Sequence, residues 1–225
     1  HYSTLLEIPK SLSLPTVICL DAFGTLFGVR GSVGHIYSEI ASKYGVNCAP
    51  DLLNQYFYTA FKNSTPCIFP GVPTSDIPTR EYQWWRKINR QTFTAVGAWE
   101  QFDDFDLFFQ DLYRYFTTPA AWEIYSDVIP ALTEWQRSGV QLAVLSNFDS
   151  RLHTVLKVLE LDRYFSTVTI STEVSAAKPQ AEIFTAALNK YQCQPQFAWH
   201  IGDSLEDDYL GAGNAGLTAI WLNRG

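Results

Sequence analysis

Five short runs rich in apolar and β-branched residues punctuate the chain, at 16–21, 140–146, 166–171, 197–202 and 218–222. Each is short, nearly continuous in its apolar character and flanked by polar or glycine-containing turns, which predicts a strand buried on both faces. Between the later runs the period changes. Segments 127–138, 150–160, 180–191 and 205–214 place apolar residues at three- and four-residue steps, as in Val128-Ile129, Leu132 and Trp135, which share one helix face. Strands alternating with helices predict an α/β fold, a parallel sheet with helices on both faces and right-handed crossovers.

The gap between the first two strands breaks this alternation. It carries helical patterns over about 32–45, 50–63, 79–96 and 103–117, interrupted by the loop Pro66-Cys-Ile-Phe-Pro70-Gly-Val-Pro73. A crossover helix needs only a fraction of that length. The expectation is therefore a core built from 1–30 and 118–225, with residues 31–117 inserted as a separate α-helical layer.

Composition narrows the function classes. The 225 residues are 47% hydrophobic, 15% aromatic and 17% charged, as befits a globular chain able to bury a substantial core. A net charge of −7 argues against nucleic acid or an anionic membrane as partner, and no apolar stretch approaches membrane-spanning length. Cys19, Cys48, Cys67 and Cys193 show neither close pairing nor metal-ligand spacing, which reads as reduced thiols in a cytoplasmic protein. A chain that begins with His1 and contains no Met reads as lacking some N-terminal sequence. Oligomeric state leaves no mark.

The chemistry gathers at strand ends. Asp21 closes the first run, Ser146-Asn147 the second, and Asp203-Ser204 with Asp208 the fourth. In an open α/β sheet the carboxyl ends of the strands form the ligand crevice, so these groups can converge on one pocket. Lys178-Pro179, just ahead of a helix, can bring an ammonium to the same place. Each residue alone has a plainer reading, since an aspartate after a strand commonly caps a helix or makes a turn. Asp149, ahead of Ser150-Arg151-Leu152, reads as such a cap, Asp207 as a solvated turn residue, and His200 as a hydrogen-bonded core residue.

Taken in order, Asp21-Ala22-Phe23-Gly24-Thr25-Leu26, Val144-Leu145-Ser146-Asn147, Lys178-Pro179 and Ile201-Gly202-Asp203-Ser204 through Asp208 to Gly211-Ala212 resemble the four motifs of the haloacid dehalogenase superfamily, with the helical insert where its cap belongs. The resemblance implies a Rossmann-like core with a helical cap and a hydrolase with Asp21 as nucleophile. It implies that Thr25 and Ser146 contact the transferred group, with Asn147 beside them, and that Lys178 balances charge on the nucleophile. It implies a Mg²⁺ site at Asp21, Asp203 and the Phe23 carbonyl, supported by Asp208, and a small phosphorylated metabolite as substrate. Phe23 and Gly24 would line the substrate site, with Trp85 and Arg86 of the cap, near Arg80, Trp84 and Arg90, the region to examine for specificity.

One position departs from the superfamily's phosphatases, which read Asp-x-Asp-Gly-Thr-Leu. Phe23 stands where their second aspartate protonates the leaving oxygen, help that contributes roughly 10²–10⁴-fold. Three readings follow. The first is a Mg²⁺-dependent phosphatase suited to good leaving groups, or one in which another group such as Asp149 gives the proton. The second is a 2-haloacid dehalogenase, whose halide leaves unprotonated and whose first motif carries an aromatic residue at this place. The third is a non-catalytic member that binds a phosphorylated ligand or a protein. Asp203 and Asp208 favour the first, because acidic residues beside a carboxylate nucleophile add only repulsion unless a cation joins them.

Overall fold

The structure is a computed structural model that describes residues 1–10 and 12–225. The chain forms two compact units. One comprises His1–Gly28, Ile68–Gly71 and Ile124–Gly225, and the other Val29–Cys67 and Val72–Glu123. The insert expected at 31–117 falls within the span of the second unit, except that Ile68–Gly71 groups with the first.

The first unit is built on five parallel strands: β1 (Val17–Leu20), β4 (Gln141–Ser146), β5 (Thr167–Ile170), β6 (Ala198–Gly202) and β7 (Thr218–Trp221). Their order is β5-β4-β1-β6-β7, with helices on both sides. Register aligns Leu20 with Val144 on one flank and with Ile201 on the other. Every residue of β1 and β6 is buried, which is why both read as unbroken apolar runs. Following the chain, β4 and β5 add to one side of β1 while β6 and β7 add to the other. The order therefore reverses between β1 and β6, and this switch point is where a crevice opens in such sheets.

Around the sheet lie α5 (Val128–Arg137), α6 (Leu152–Val158), the one-turn α7 (Ser171–Val174), α8 (Ala181–Asn189) and the short α9 (Gly211–Asn214). Ile183, Phe184, Ala187 and Leu188 of α8 pack into a core with Val17 and Cys19 of β1 and Ala143 and Leu145 of β4. The segment read as one helix over 205–214 divides in two. Leu205–Leu210 winds more widely, as a π-helical turn, before α9 begins. The backbone amides of Asp208 and Tyr209 both donate to the Ser204 carbonyl, at 3.0 and 3.1 Å. Such turns recur at functional sites, and this one carries Asp208.

The second unit holds α1 (Val33–Ser42), α2 (Pro50–Lys62), α3 (Ile77–Ala95) and α4 (Phe105–Tyr115). The Ser32 hydroxyl caps α1 by accepting from the His35 amide, and the Asp104 carboxylate caps α4 through Asp106 and Leu107. Its interior is aromatic: Phe93 meets Phe102, Phe105 and Phe108 edge-on at centroid distances of 5.1–6.4 Å. A two-stranded ribbon of β2 (Phe27–Val29) and β3 (Trp122–Ile124), absent from the sequence reading, carries the chain out of the first unit and back. Among the described residues no helix is long and apolar enough to cross a membrane.

Candidate active site

Asp21 follows β1 directly, and its amide donates to the Ile201 carbonyl of β6 at 2.9 Å, which seats it at the switch point. The chain then turns sharply. The Ala22 carbonyl accepts from Thr25 and Leu26 at 3.1 and 2.7 Å, while Gly24 takes φ +86° and donates to the Phe27 carbonyl at 2.9 Å. Glycine is required twice over at position 24. The backbone is left-handed, and a Cβ there would stand 2.4 Å from Oδ2 of Asp203. The turn leaves Phe23 42% exposed next to the buried Asp21.

Lys178 lies at the centre. Its side chain is 2% exposed, and Nζ donates to Asp21 Oδ1 at 2.8 Å, Asp208 Oδ1 at 2.6 Å and the Leu145 carbonyl at 3.2 Å. All three ammonium protons are thereby placed. Asn147 fixes the backbone that delivers this lysine: its Oδ1 accepts from the Lys178 amide at 2.8 Å, and its Nδ2 donates to the Lys178 carbonyl at 3.1 Å. The peptide bond after Lys178 is cis. The Ser146 hydroxyl, at the end of β4, donates to Asp21 Oδ1 at 3.1 Å. The buried Thr25 hydroxyl lies 3.5 Å from Asp203 Oδ1, a long contact.

Asp208 is saturated. Oδ1 accepts from Lys178 and from His200 Nε2 at 2.7 Å, and Oδ2 accepts from the Ser204 amide at 3.0 Å. The space it occupies exists because residue 202 is glycine, where a Cβ would stand 2.1 Å from Asp208 Cγ. His200 is fully buried, with Phe184 edge-on at 5.2 Å. Its Nδ1 has no partner among the described residues, so the proton sits on Nε2, facing the carboxylate.

These contacts set the electrostatics. Burial, with Asp208 and Asp203 adding to it and Lys178 opposing, pushes the Asp21 carboxyl up to about 7. Burial also raises Asp203. Burial works against the charge on Asp208, yet Lys178 and His200 hold its carboxyl well below the usual range. Burial likewise opposes the Lys178 ammonium, but Asp208 and Asp21 keep it above its ordinary value. Burial lowers His200, which keeps the ring neutral.

The other sequence candidates find different neighbours. Asp149 is buried in a two-pronged pair with Arg151, whose Nε and Nη2 reach its two oxygens at 2.9 Å each, and its Oδ1 also accepts from the Arg151 amide at the start of α6. Asp207 is half-buried, and its amide donates to the Ser204 hydroxyl. In the helical unit, Arg86 pairs with Asp106 at 2.6 Å and lies over the Phe105 ring, while Trp85 stacks with Phe57 and Phe61. Arg224 had no signal in the sequence. Its Nη2 donates to the Thr25 carbonyl at 2.8 Å and pairs with the buried Asp127 at 3.0 Å, tying the nucleophile's turn to the segment after β7.

Carboxylate oxygens of Asp21, Asp203 and Asp208 lie within 4.8 Å of one another, a hard-oxygen set that fits a divalent cation such as Mg²⁺. With all three carboxyls ionised, the single ammonium leaves two negative charges that such an ion would balance.

The model of the haloacid dehalogenase-like hydrolases matches residues 15–216, a span holding the whole of this site. The chain belongs to that family. This hydrolase is 32% identical over 197 residues to haloacid dehalogenase-like hydrolase domain-containing protein 3 of Bos taurus, covering 88% of this chain and 77% of the relative. In fold it resembles a phosphatase of the superfamily from Thermococcus onnurineus (TM-score 0.64, 23% identity, 93% of this chain and 87% of the other). It equally resembles L-2-haloacid dehalogenase from Xanthobacter autotrophicus (TM-score 0.63, 18% identity, 91% and 76%). Hydrolases of this superfamily act on small molecules and typically use Mg²⁺.

Proposed function

We propose that this hydrolase is a Mg²⁺-dependent phosphatase of a small phosphorylated metabolite, with Asp21 as nucleophile and Phe23 in the place of the usual acid–base aspartate. The carrying observation is the cluster of three carboxylates around a single lysine. A halide-displacing enzyme needs one ionised nucleophile and gains nothing from two more acidic groups beside it, whereas a cation site needs them.

Asp21 and Asp203 are the better ligands for the ion, with the Phe23 carbonyl beside them, because the oxygens of Asp208 already accept three donors. When bound, the ion supplies charge neutralisation between the phosphoryl oxygens and the nucleophile. Every other part is played by the chain. Ser146 and Lys178 both bond Oδ1 of Asp21, which fixes the carboxylate and leaves Oδ2 to attack phosphorus. Thr25 supplies a hydroxyl to the transferred group, Ser146 joins it when its proton turns from Asp21 to the bound phosphoryl group, and Asn147 holds the backbone of Lys178 so that its ammonium stays on the nucleophile. Asp208 with His200 steadies that ammonium from behind. Gly24 lets the turn approach Asp203. The helical unit corresponds to the family's cap, the element that carries substrate specificity, and Trp85 and Arg86 belong to its specificity region. Cys19, Cys48 and Cys193, which form no disulfide among the described residues, fit a cytoplasmic setting.

The test is phosphate release from acetyl phosphate, aryl phosphates and sugar phosphates with Mg²⁺ and with chelator, beside halide release from chloropropionate, with Asp21→Asn as control. Mg²⁺-dependent phosphate release abolished by Asp21→Asn supports the proposal. Halide release indifferent to chelator would replace it with dehalogenation. Mg²⁺-dependent ligand binding without turnover would replace it with a binding role.

A further inference from the structure

We infer that the substrates of this hydrolase are acyl phosphates, mixed anhydrides of phosphoric and carboxylic acids, in preference to alkyl phosphate esters. The inference rests on the phosphatase reading and deepens it by fixing the leaving group.

It follows from accounting for the protons around Asp21. Phe23, 42% exposed, occupies the turn position two residues after the nucleophile, where the family's phosphatases carry the aspartate that protonates the leaving oxygen, and its phenyl ring has no proton to give. Of the proton-bearing groups around the nucleophile, Lys178, His200 and Ser146 are engaged. Lys178 spends its three N–H bonds on Asp21, Asp208 and the Leu145 carbonyl. His200 points its Nε2 proton at Asp208 and has no exposed surface. Asp208 receives three donors and Asp149 is gripped on both oxygens by Arg151, so each is held as a carboxylate with no proton to give. The Ser146 hydroxyl donates to Asp21 itself.

A leaving group that departs without a proton is then the one this site serves. A carboxylate, with an ordinary pKa near ~4, leaves as a stable anion, whereas a phenol near ~10 does so less readily and an alkoxide hardly at all. The steps balance with no acid or base drawn from the protein. An oxygen of Asp21 bonds to phosphorus while the bond from phosphorus to the acyl oxygen breaks, and the carboxylate leaves with the electron pair. Water then bonds to phosphorus, the bond from phosphorus to the Asp21 oxygen breaks, and Asp21 is restored. Both water protons depart on the product as dihydrogen phosphate, which releases one to solvent according to pH.

The experiment is kcat/KM, at saturating Mg²⁺, for acetyl phosphate, a series of aryl phosphates of graded phenol pKa, and ethyl phosphate. The expected result is a steep fall with leaving-group pKa, acetyl phosphate exceeding ethyl phosphate by more than the ~10²–10⁴-fold that a resident acid would recover. Phe23→Asp is expected to raise ethyl phosphate relative to acetyl phosphate, and Phe23→Asn, which adds polarity without an acid, is not. Phosphate release with a flat dependence in the unaltered protein would overturn this inference and leave the phosphatase reading standing. So would a dependence that becomes steep only in Asp207→Asn, which would make Asp207 the missing acid. No turnover of any phosphate, with or without Mg²⁺, would overturn both.

Discussion

Replacing Lys178 by methionine removes the one cation from a buried cluster while keeping much of its volume. Its ammonium touches Asp21 at 2.8 Å and Asp208 at 2.6 Å, with side-chain exposures of 2% for Lys178 and Asp208 and 11% for Asp21. Breaking a buried pair from one side costs about 3–5 kcal/mol, because a charge is left without compensation. Here two carboxylates lose the same partner, so the upper end is expected. For a domain of this size, with roughly 2–4 °C per kcal/mol, Tm should fall by about 10–20 °C. The loss depends on pH with a definite sign. Without the ammonium both carboxyls titrate higher in the folded protein than the ~3.9 of an unfolded aspartate. The folded state then holds protons that the unfolded state lacks, and stability drops as pH rises through that window. The assay is urea unfolding with chelator present, at about pH 5 and about pH 8, for the native sequence, Lys178→Met, and Lys178→Met with Asp208→Asn. The double variant should regain part of the loss at the higher pH, having one stranded charge fewer. A deficit below ~1 kcal/mol, the scale of an exposed ion pair, or one equal at both pH values would refute the reasoning.

Three further outcomes are expected. Gly202→Ala should cost about 1–3 kcal/mol and abolish Mg²⁺-dependent turnover, since a Cβ 2.1 Å from Asp208 Cγ must push that carboxylate off Lys178 and His200; calorimetry and phosphate release check it. His200→Phe should cost about 1.5–3 kcal/mol by removing a donor to a charged acceptor, and His200→Gln, which can still donate, should cost less; equal losses in urea unfolding would mean that only packing against Phe184 matters. In metal-free protein Asp21 titrates at about 7, well above an unfolded aspartate, so stability falls as pH rises towards and through 7. Mg²⁺ must displace that proton, so the rise in Tm at a fixed Mg²⁺ concentration should be larger at about pH 8 than at about pH 5; a shift independent of pH would contradict the titration.

What the sequence shows and what it hides have physical causes. The five strands are legible because parallel strands covered on both sides must be apolar throughout, and β1 and β6 are. The ribbon of Phe27–Val29 and Trp122–Ile124 is not, because three residues carry no period. The break at Leu205–Leu210 is hidden for another reason: its apolar spacing is helical, and the wider winding is set by two amides sharing the Ser204 carbonyl. Asp21, Lys178 and Asp203 stand out as polar groups at strand ends, and the structure brings Asp21, Asp203 and Asp208 together with Lys178 among them. Asn147 is visible for the same reason, but its contact, both ends of its amide on the Lys178 backbone, depends on a loop distant in sequence. His200 reads as a hydrogen-bonded core residue, and it is one; only the structure shows that its partner is Asp208. Arg224 had no pattern to betray it, because its partners Thr25 and Asp127 are far off in the chain.

The central claim, a phosphoryl group carried on Asp21, is tested most directly by a single turnover of acetyl phosphate with excess protein and Mg²⁺ in water enriched in heavy oxygen. Mass spectrometry of the released phosphate and of the peptide containing Asp21 then shows where the label went. Attack of water on phosphorus puts the label in phosphate and none in Asp21, which is the result expected here. Label in the Asp21 carboxylate would mean that water attacked its carbonyl carbon, the course of an alkylated aspartate, and would contradict the account.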